Sequence, residues 1–283
     1  MDSPLNALAR EATLPDGTPV RVLPHAAELK AARTLGTSLR QAEIAALSQG
    51  LIPERYLRNF KTLDCAAQAR LLETRVALVG LGGLGGPILE GLARLGFGRI
   101  SAADHDIFEA TNLNRQALAT EETLGRPKAL AAQERVALIN PAVELSAHQL
   151  FVEPEAFAAF FAGADVAVDA LGGMACRAAA ERGAARADVP LVTAAVAGWT
   201  VTAATVLPGA TGPASLFSPD GSAPGAEDAL GCLAPAIQVA AGLVLAECVR
   251  LALGQPPRLG GPGGQMAVID LESLTLDRFS LGG

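Results

Sequence analysis

Arg75-Val-Ala-Leu-Val-Gly80-Leu-Gly82-Gly83-Leu-Gly85-Gly86 is the stretch whose reading decides the fold. Five residues, four of them apolar, run into a cluster of glycines, and a helical pattern follows over 84–96, ended by Gly96 and Gly98. A short apolar run of this length, closed by glycines, reads as a buried strand. Glycines between a strand and a helix let the backbone approach a phosphate, and the helix start supplies N–H donors. The spacing Gly80-x-Gly82-x-x-Gly85 points to a nucleotide without saying which one.

Outward from this point the pattern repeats. Residues 99–104 read as a strand, 126–139 as a helix with Pro in its first turn, and 143–147 as a strand. A helix over 154–162, a strand over 165–169, a helix over 174–187 and a strand over 190–195 follow. Such alternation predicts an α/β fold: a Rossmann-like, mostly parallel, doubly wound sheet. Residues 199–207 are Thr/Val-rich with no helix before them, which predicts antiparallel pairing. The Pro/Gly/Ser/Asp-rich run over 208–230 reads as a long loop. A long apolar helix is expected over 233–253, a Gly/Pro linker over 256–264, and two short strands over 266–279. Upstream, residues 1–50 are polar and helical in pattern, with a turn at Pro15-Asp16-Gly17 and a helix starting near Ser38. One or two amphipathic helices are expected over 53–73.

Composition narrows the class. The chain has 283 residues, 50% hydrophobic but only 4% aromatic, so Ala, Leu and Val must fill the core. The net charge of −7 argues against nucleic acid as the main ligand. Three of the 22 basic residues are Lys, a bias read as coding composition and not as an RNA-binding signature. No uninterrupted apolar run reaches the roughly 18 residues of a membrane span. Met1-Asp2-Ser3-Pro4 lacks a secretion-signal pattern, and the four cysteines form no C-x-x-C pair. Free thiols and a cytoplasmic location are expected.

Two further groups separate nucleotide types. Asp104 closes the second strand, where an acidic residue can accept from ribose hydroxyls. Up to there a dinucleotide and ATP are both allowed. Asn112-Leu-Asn114-Arg115-Gln116, and Lys128 in Gly125-Arg126-Pro127-Lys128, then follow Asp104-His105-Asp106. A dehydrogenase needs no such cluster, whereas a nucleotidyl transferase needs Arg and Lys against the phosphates.

With these runs in place the chain resembles the ThiF/MoeB/HesA family, whose fold is shared with ubiquitin-activating enzymes. The resemblance covers about 53–280 and includes Glu54-Arg55-Tyr56-Leu57-Arg58-Asn59. It divides the chain into a helical N-terminal extension, 1–52, and a ThiF-type ATP-binding adenylation domain, 53–283. It implies a homodimer that uses Mg²⁺ and ATP to adenylate the C-terminal glycine carboxylate of a small ubiquitin-like sulfur carrier ending in Gly-Gly. Gly80, Gly82, Gly83, Gly85, Asp104 and Gly172 would line the nucleotide site. Asn112, Arg115 and Lys128 would meet the phosphates, and Arg58 would enter the partner subunit's site.

There are departures. The family's Asp-x-x-Asp-Asn run, whose second Asp supports Mg²⁺, reads Asp169-Ala-Leu-Gly172-Gly173 here. Asp169 reads first as a structural carboxylate, with a partial metal-ligand role as its alternative. Relatives' two C-x-x-C pairs are absent, so no zinc is expected. Cys232 reads as a packing thiol, although a helix N-terminus would lower its pKa if it were exposed. His25, His105 and His148 read as surface or satisfied polar residues, and the terminal Gly282-Gly283 as chance. An alternative function is a family member that binds ATP but turns over weakly or not at all, acting as a scaffold or nucleotide sensor. A relative acting on modified tRNA is disfavoured by the acidic charge. An NAD-dependent oxidoreductase leaves the Asn112–Gln116 run unexplained.

Overall fold

The structure is a computed structural model that describes residues 4–282. Met1 to Ser3 and Gly283, on which the readings of the start and of the terminal Gly-Gly fall, lie outside it. The chain opens with β1 (Arg10–Thr13), β2 (Pro19–Leu23), α1 (His25–Leu35), α2 (Leu39–Leu47) and β3 (Leu51–Pro53). Then come α3 (Cys65–Glu73), β4 (Arg75–Val79), α4 (Gly85–Leu95), β5 (Arg99–Ala103), α5 (Lys128–Ile139) and β6 (Glu144–His148). Next are α6 (Phe157–Phe161), β7 (Val166–Asp169), α7 (Arg177–Arg186), β8 (Leu191–Ala197) and β9 (Thr200–Val206). Last are α8 (Pro213–Phe217), α9 (Ala226–Leu230), α10 (Ala234–Ala252), β10 (Gln265–Asp270) and β11 (Thr275–Ser280).

Eight strands form one sheet in the order β11-β10-β9-β8-β7-β4-β5-β6. From β6 to β8 the pairs are parallel, and from β8 to β11 antiparallel. The sheet is therefore mostly parallel with an antiparallel C-terminal edge, as the alternation implies. Strand side chains point to opposite faces in turn. Val76 and Leu78 of β4 join the larger core with residues of α4, α5 and α10, while Ala77 and Val79 face a smaller core with α6 and α7. The chain runs β4, β5, β6 to one side, then returns to β7 beside β4. The crevice at the carboxyl ends of β4 and β7 is thus a topological switch point, where ligands bind in open α/β sheets.

The first 50 residues hold the two helices that a polar-helical reading implies, with Ser38 making a capping box on α2. They also hold β1 and β2, which with β3 just beyond make a three-stranded sheet that such a reading omits. β1 and β2 pair antiparallel around the Pro15-Asp16-Gly17 turn, and β3 adds parallel to β2. The reason lies in Val20-Arg-Val22, whose alternation puts both valines into a core with Ile52. The run over 208–230 contains two five-residue helices, α8 and α9.

α10 is 19 residues long with a mean hydropathy of 1.5, enough by length and average composition for a membrane span. Glu247 and Arg250 break its apolar run, as the sequence implies, and the helix packs on α4, β8 and β9.

A buried polar network ties the extension to the rest. Tyr56 Oη donates to Glu43 at 3.1 Å and accepts from Asn140 Nδ2 at 2.9 Å, and Arg55 pairs with Glu28 at 2.7 Å and with Glu43 at 3.3 Å. Burial pushes the Glu43 carboxyl from 4.5 up to about 7, against the pull of Arg55. The folded state thus holds this proton more tightly than the unfolded chain does. The stability from this group is complete below about pH 4.5 and is lost as pH rises through about 7. Glu43→Gln is expected to flatten stability against pH over that window, as read by urea unfolding. An unchanged slope would refute the assignment.

Candidate active site

The crevice at the switch point is a cavity of about 490 Å³. One wall is the Gly loop. Gly80 has φ +93°, and a β-carbon on it would lie 2.5 Å from the Ala170 carbonyl oxygen. A β-carbon on Gly85 would collide with the Gly80 carbonyl oxygen. These two glycines are required by the close approach of the loop to β7 and to itself. Gly82 and Gly83 line the cavity.

Asp104 forms the second wall. It is 9% exposed. Its Oδ2 accepts from Leu81 N–H at 2.7 Å and its Oδ1 from Asp106 N–H at 2.9 Å. The carboxylate therefore holds the Gly loop against β5. Each oxygen keeps lone-pair capacity for a sugar hydroxyl.

The segment between β5 and α5 folds back on itself, which brings distant sequence together. Phe108 N–H donates to the Arg126 carbonyl and Lys128 N–H to that of Asp106, both at 3.0 Å. This ladder delivers Lys128, 6% exposed, to the cavity, with Nζ 3.0 Å from Asp106 Oδ2. Within the loop Asn112, Arg115 and Gln116 share a tight turn, and all three line the cavity. Arg115 Nη1 donates to the Thr111 carbonyl and to Asn114 Oδ1. A guanidinium has five N–H donors, so donors remain for a phosphate.

Every expected cofactor-binding position, Gly85 apart, lines this cavity, Gly172 included. Gly85 lies behind the loop as its packing residue. Arg58 is exposed and does not line the cavity of its own chain. Asp169 does not line it either. It is 1% exposed. Its Oδ2 accepts from Arg177 at 3.0 Å and from Thr193 at 2.8 Å, and its Oδ1 accepts from Leu171 N–H at 2.9 Å. This geometry agrees with the structural reading of Asp169 and disfavours the metal alternative: the carboxylate is engaged in holding Arg177 and the turn after β7.

Three contributors were not named as site residues from the sequence. Gln116 is 6% exposed, and its Oε1 is buried with no hydrogen-bond partner. Arg177 clasps the turn by donating to the carbonyls of Gly173 and Leu171. Glu227 on α9 reaches back into the cavity. The orphaned Gln116 oxygen could have been suspected from its place in the Asn112–Gln116 run. The other two have no local signal.

Cys232 lines the cavity and is half-buried, and burial, then Glu227, push its thiol up. His105 also lines it and packs edge-on against Phe151, with centroids 5.1 Å apart.

The arrangement suits a phosphate-rich nucleotide: a Gly loop that admits phosphates, an acid at the sugar end, two cations and an unmet polar acceptor in one concave site. A model of the ThiF family matches residues 54–282. The chain is similar to the Escherichia coli sulfur carrier protein ThiS adenylyltransferase, 37% identical over 147 residues, covering 51% of this chain and 59% of that protein. It is also similar to the Bacillus subtilis tRNA threonylcarbamoyladenosine dehydratase, 34% identical over 140 residues, covering 49% and 55% of the two chains. Its matches thus span little more than half the length of these relatives. Among solved structures, E. coli MccB with MccA-N7isoASN superposes with a TM-score of 0.69, covering 81% of this chain and 72% of that one at 23% identity. That likeness shows the fold.

Proposed function

Because this chain belongs to the ThiF family, we propose that it is an ATP-dependent adenylyltransferase that activates a carboxylate, that of the C-terminal glycine of a small ubiquitin-like sulfur carrier. The observation that carries the reading is the convergence of Arg115 and Lys128, from two separate turns, with the Gly loop and Asp104 on one cavity. A hydride-transfer reading accounts for the Gly loop and Asp104 but leaves the Asn112–Gln116 run without a role.

In this reading a carrier carboxylate oxygen attacks the α-phosphorus of ATP. A bond forms between them, the α–β bridge breaks, and pyrophosphate leaves with the electron pair. A carboxylate is a weak nucleophile, so in-line positioning and charge neutralisation supply the acceleration. Asn112 and Arg115 hold phosphate oxygens, and Lys128 meets the charge that grows toward pyrophosphate. Arg58, exposed outside its own cavity, fits a contribution to a second subunit's cavity in a homodimer. Mg²⁺ would add charge neutralisation across the phosphates, and the enzyme would act in the cytoplasm. Thiamine- and molybdopterin-type sulfur transfer are the pathways this chemistry would serve.

The test is to trap the activated carboxylate. With ATP, hydroxylamine and a purified Gly-Gly carrier, the carrier should be converted to its C-terminal hydroxamate, seen by mass spectrometry. A carrier lacking the last glycine should not react. Hydroxamate formed on a small carboxylic acid or peptide in place of every carrier tried would move the substrate class.

A second reading, tight ATP binding with little turnover, is favoured by Gly172 standing where relatives are expected to carry a metal carboxylate. It predicts bound ATP and no hydroxamate.

A further inference from the structure

Where the chain turns at Gly172 it offers no carboxylate of its own, and a glutamate from far along the sequence stands in that place. Glu227 Oε1 accepts a 2.6 Å hydrogen bond from Gly173 N–H. A β-carbon built on Gly172 would lie 3.4 Å from that same oxygen. A side chain at position 172 would thus start in van der Waals contact with the Glu227 carboxylate, so both positions face the same part of the cavity. Gly172 is outside the left-handed region, so its backbone does not require glycine. Among the described residues Oε2 of Glu227 takes no hydrogen bond, which leaves a hard oxygen donor at the cavity wall. A second, independent sign of an absent ligand is Gln116, more than nine-tenths buried, lining the same cavity with Oε1 unpartnered. Of the buried cations lining the cavity, Arg177 pairs with Asp169 and Lys128 with Asp106, each at 3.0 Å, and among the described residues neither pairs with Glu227.

We propose that Glu227 holds the divalent cation of the bound nucleotide, doing from α9 what a carboxylate at position 172 would do from the end of β7. Mg²⁺ keeps several waters and needs only one or two carboxylates beside the phosphates, so a single glutamate with one free oxygen is a sufficient donor. The segment over 208–230 then belongs to the nucleotide site, tied to it by the Glu227–Gly173 bond. This inference rests on the nucleotide reading of the cavity.

The test is calorimetric titration of the full chain with a non-hydrolysable ATP analogue, in Mg²⁺ and in EDTA, with Mn²⁺ binding followed by electron paramagnetic resonance. The native chain should bind the analogue more tightly with the metal. Measured against its own metal-free affinity, Glu227→Gln should lose about tenfold of the metal-dependent gain, with a matching loss in Mn²⁺ affinity. Adding Gly172→Asp to that variant should restore both. An unchanged metal response in Glu227→Gln overturns the inference and leaves the nucleotide reading intact. A native chain that binds no nucleotide in either condition overturns both.

Discussion

Lys128→Ala is expected to lower ATP–pyrophosphate exchange by about 10²- to 10³-fold, the usual cost of removing one preorganised group that stabilises transition-state charge. The ammonium is 6% exposed, at the first residue of α5. Its acceptor in the structure is Asp106, 3.0 Å away, whose side chain is 51% exposed. Asp106 stays open to water when the ammonium is removed, so no buried charge is stranded and the variant should fold. The expected result is therefore a large loss of exchange with a nearly unchanged unfolding midpoint. Lys128→Arg should recover little, because a planar guanidinium cannot take the place of a compact ammonium there. Exchange kept within a few-fold of wild type in Lys128→Ala would remove this residue from the chemistry.

Asp169→Ala should act on stability instead. The pair it forms with Arg177 is almost fully enclosed, with side chains 1% and 5% exposed. Removing one member of such a pair strands the other charge and typically costs about 3–5 kcal/mol. Thr193 Oγ1 and Leu171 N–H lose an acceptor as well, and the turn that carries Gly172 and Gly173 loosens with Arg177. Asp169→Asn, which keeps the shape and one acceptor oxygen, should cost less. Urea unfolding separates this from a metal role. A residue that bound Mg²⁺ would leave stability near wild type when replaced and would weaken the metal response of nucleotide binding. An Asp169→Ala protein of native stability would contradict the anchoring role.

Much of this site can be read along the chain because its parts are local. The Gly loop, Asp104, the Asn112–Gln116 turn and Lys128 lie in consecutive connections between strands and helices. The alternation that reveals those strands also fixes the crevice they face. Roles set by pairing in space are harder to read. Asp169 looks like a strand-end carboxylate until Arg177 and Thr193 are seen to enclose it. Gly172 reads as a lost carboxylate because Glu227 lies 54 residues beyond the Gly173 that it bonds, inside a stretch rich in turn residues. Cys232, which sits just before α10, has its thiol pushed up, first by burial and then by Glu227. The N-terminal hairpin was missed for another reason. β1 and β2 have four and five residues, too few for periodicity to outweigh the helical pattern around them.

ATP–pyrophosphate exchange tests the central claim most directly, because it reports reversible adenylation at the cavity without need of any later step. Purified chain, Mg²⁺, ATP, labelled pyrophosphate and a Gly-Gly carrier should return label to ATP, and the signal should vanish when the carrier is omitted. Absence of exchange with every carrier tried, in a chain shown to bind ATP, would contradict the adenylyltransferase account.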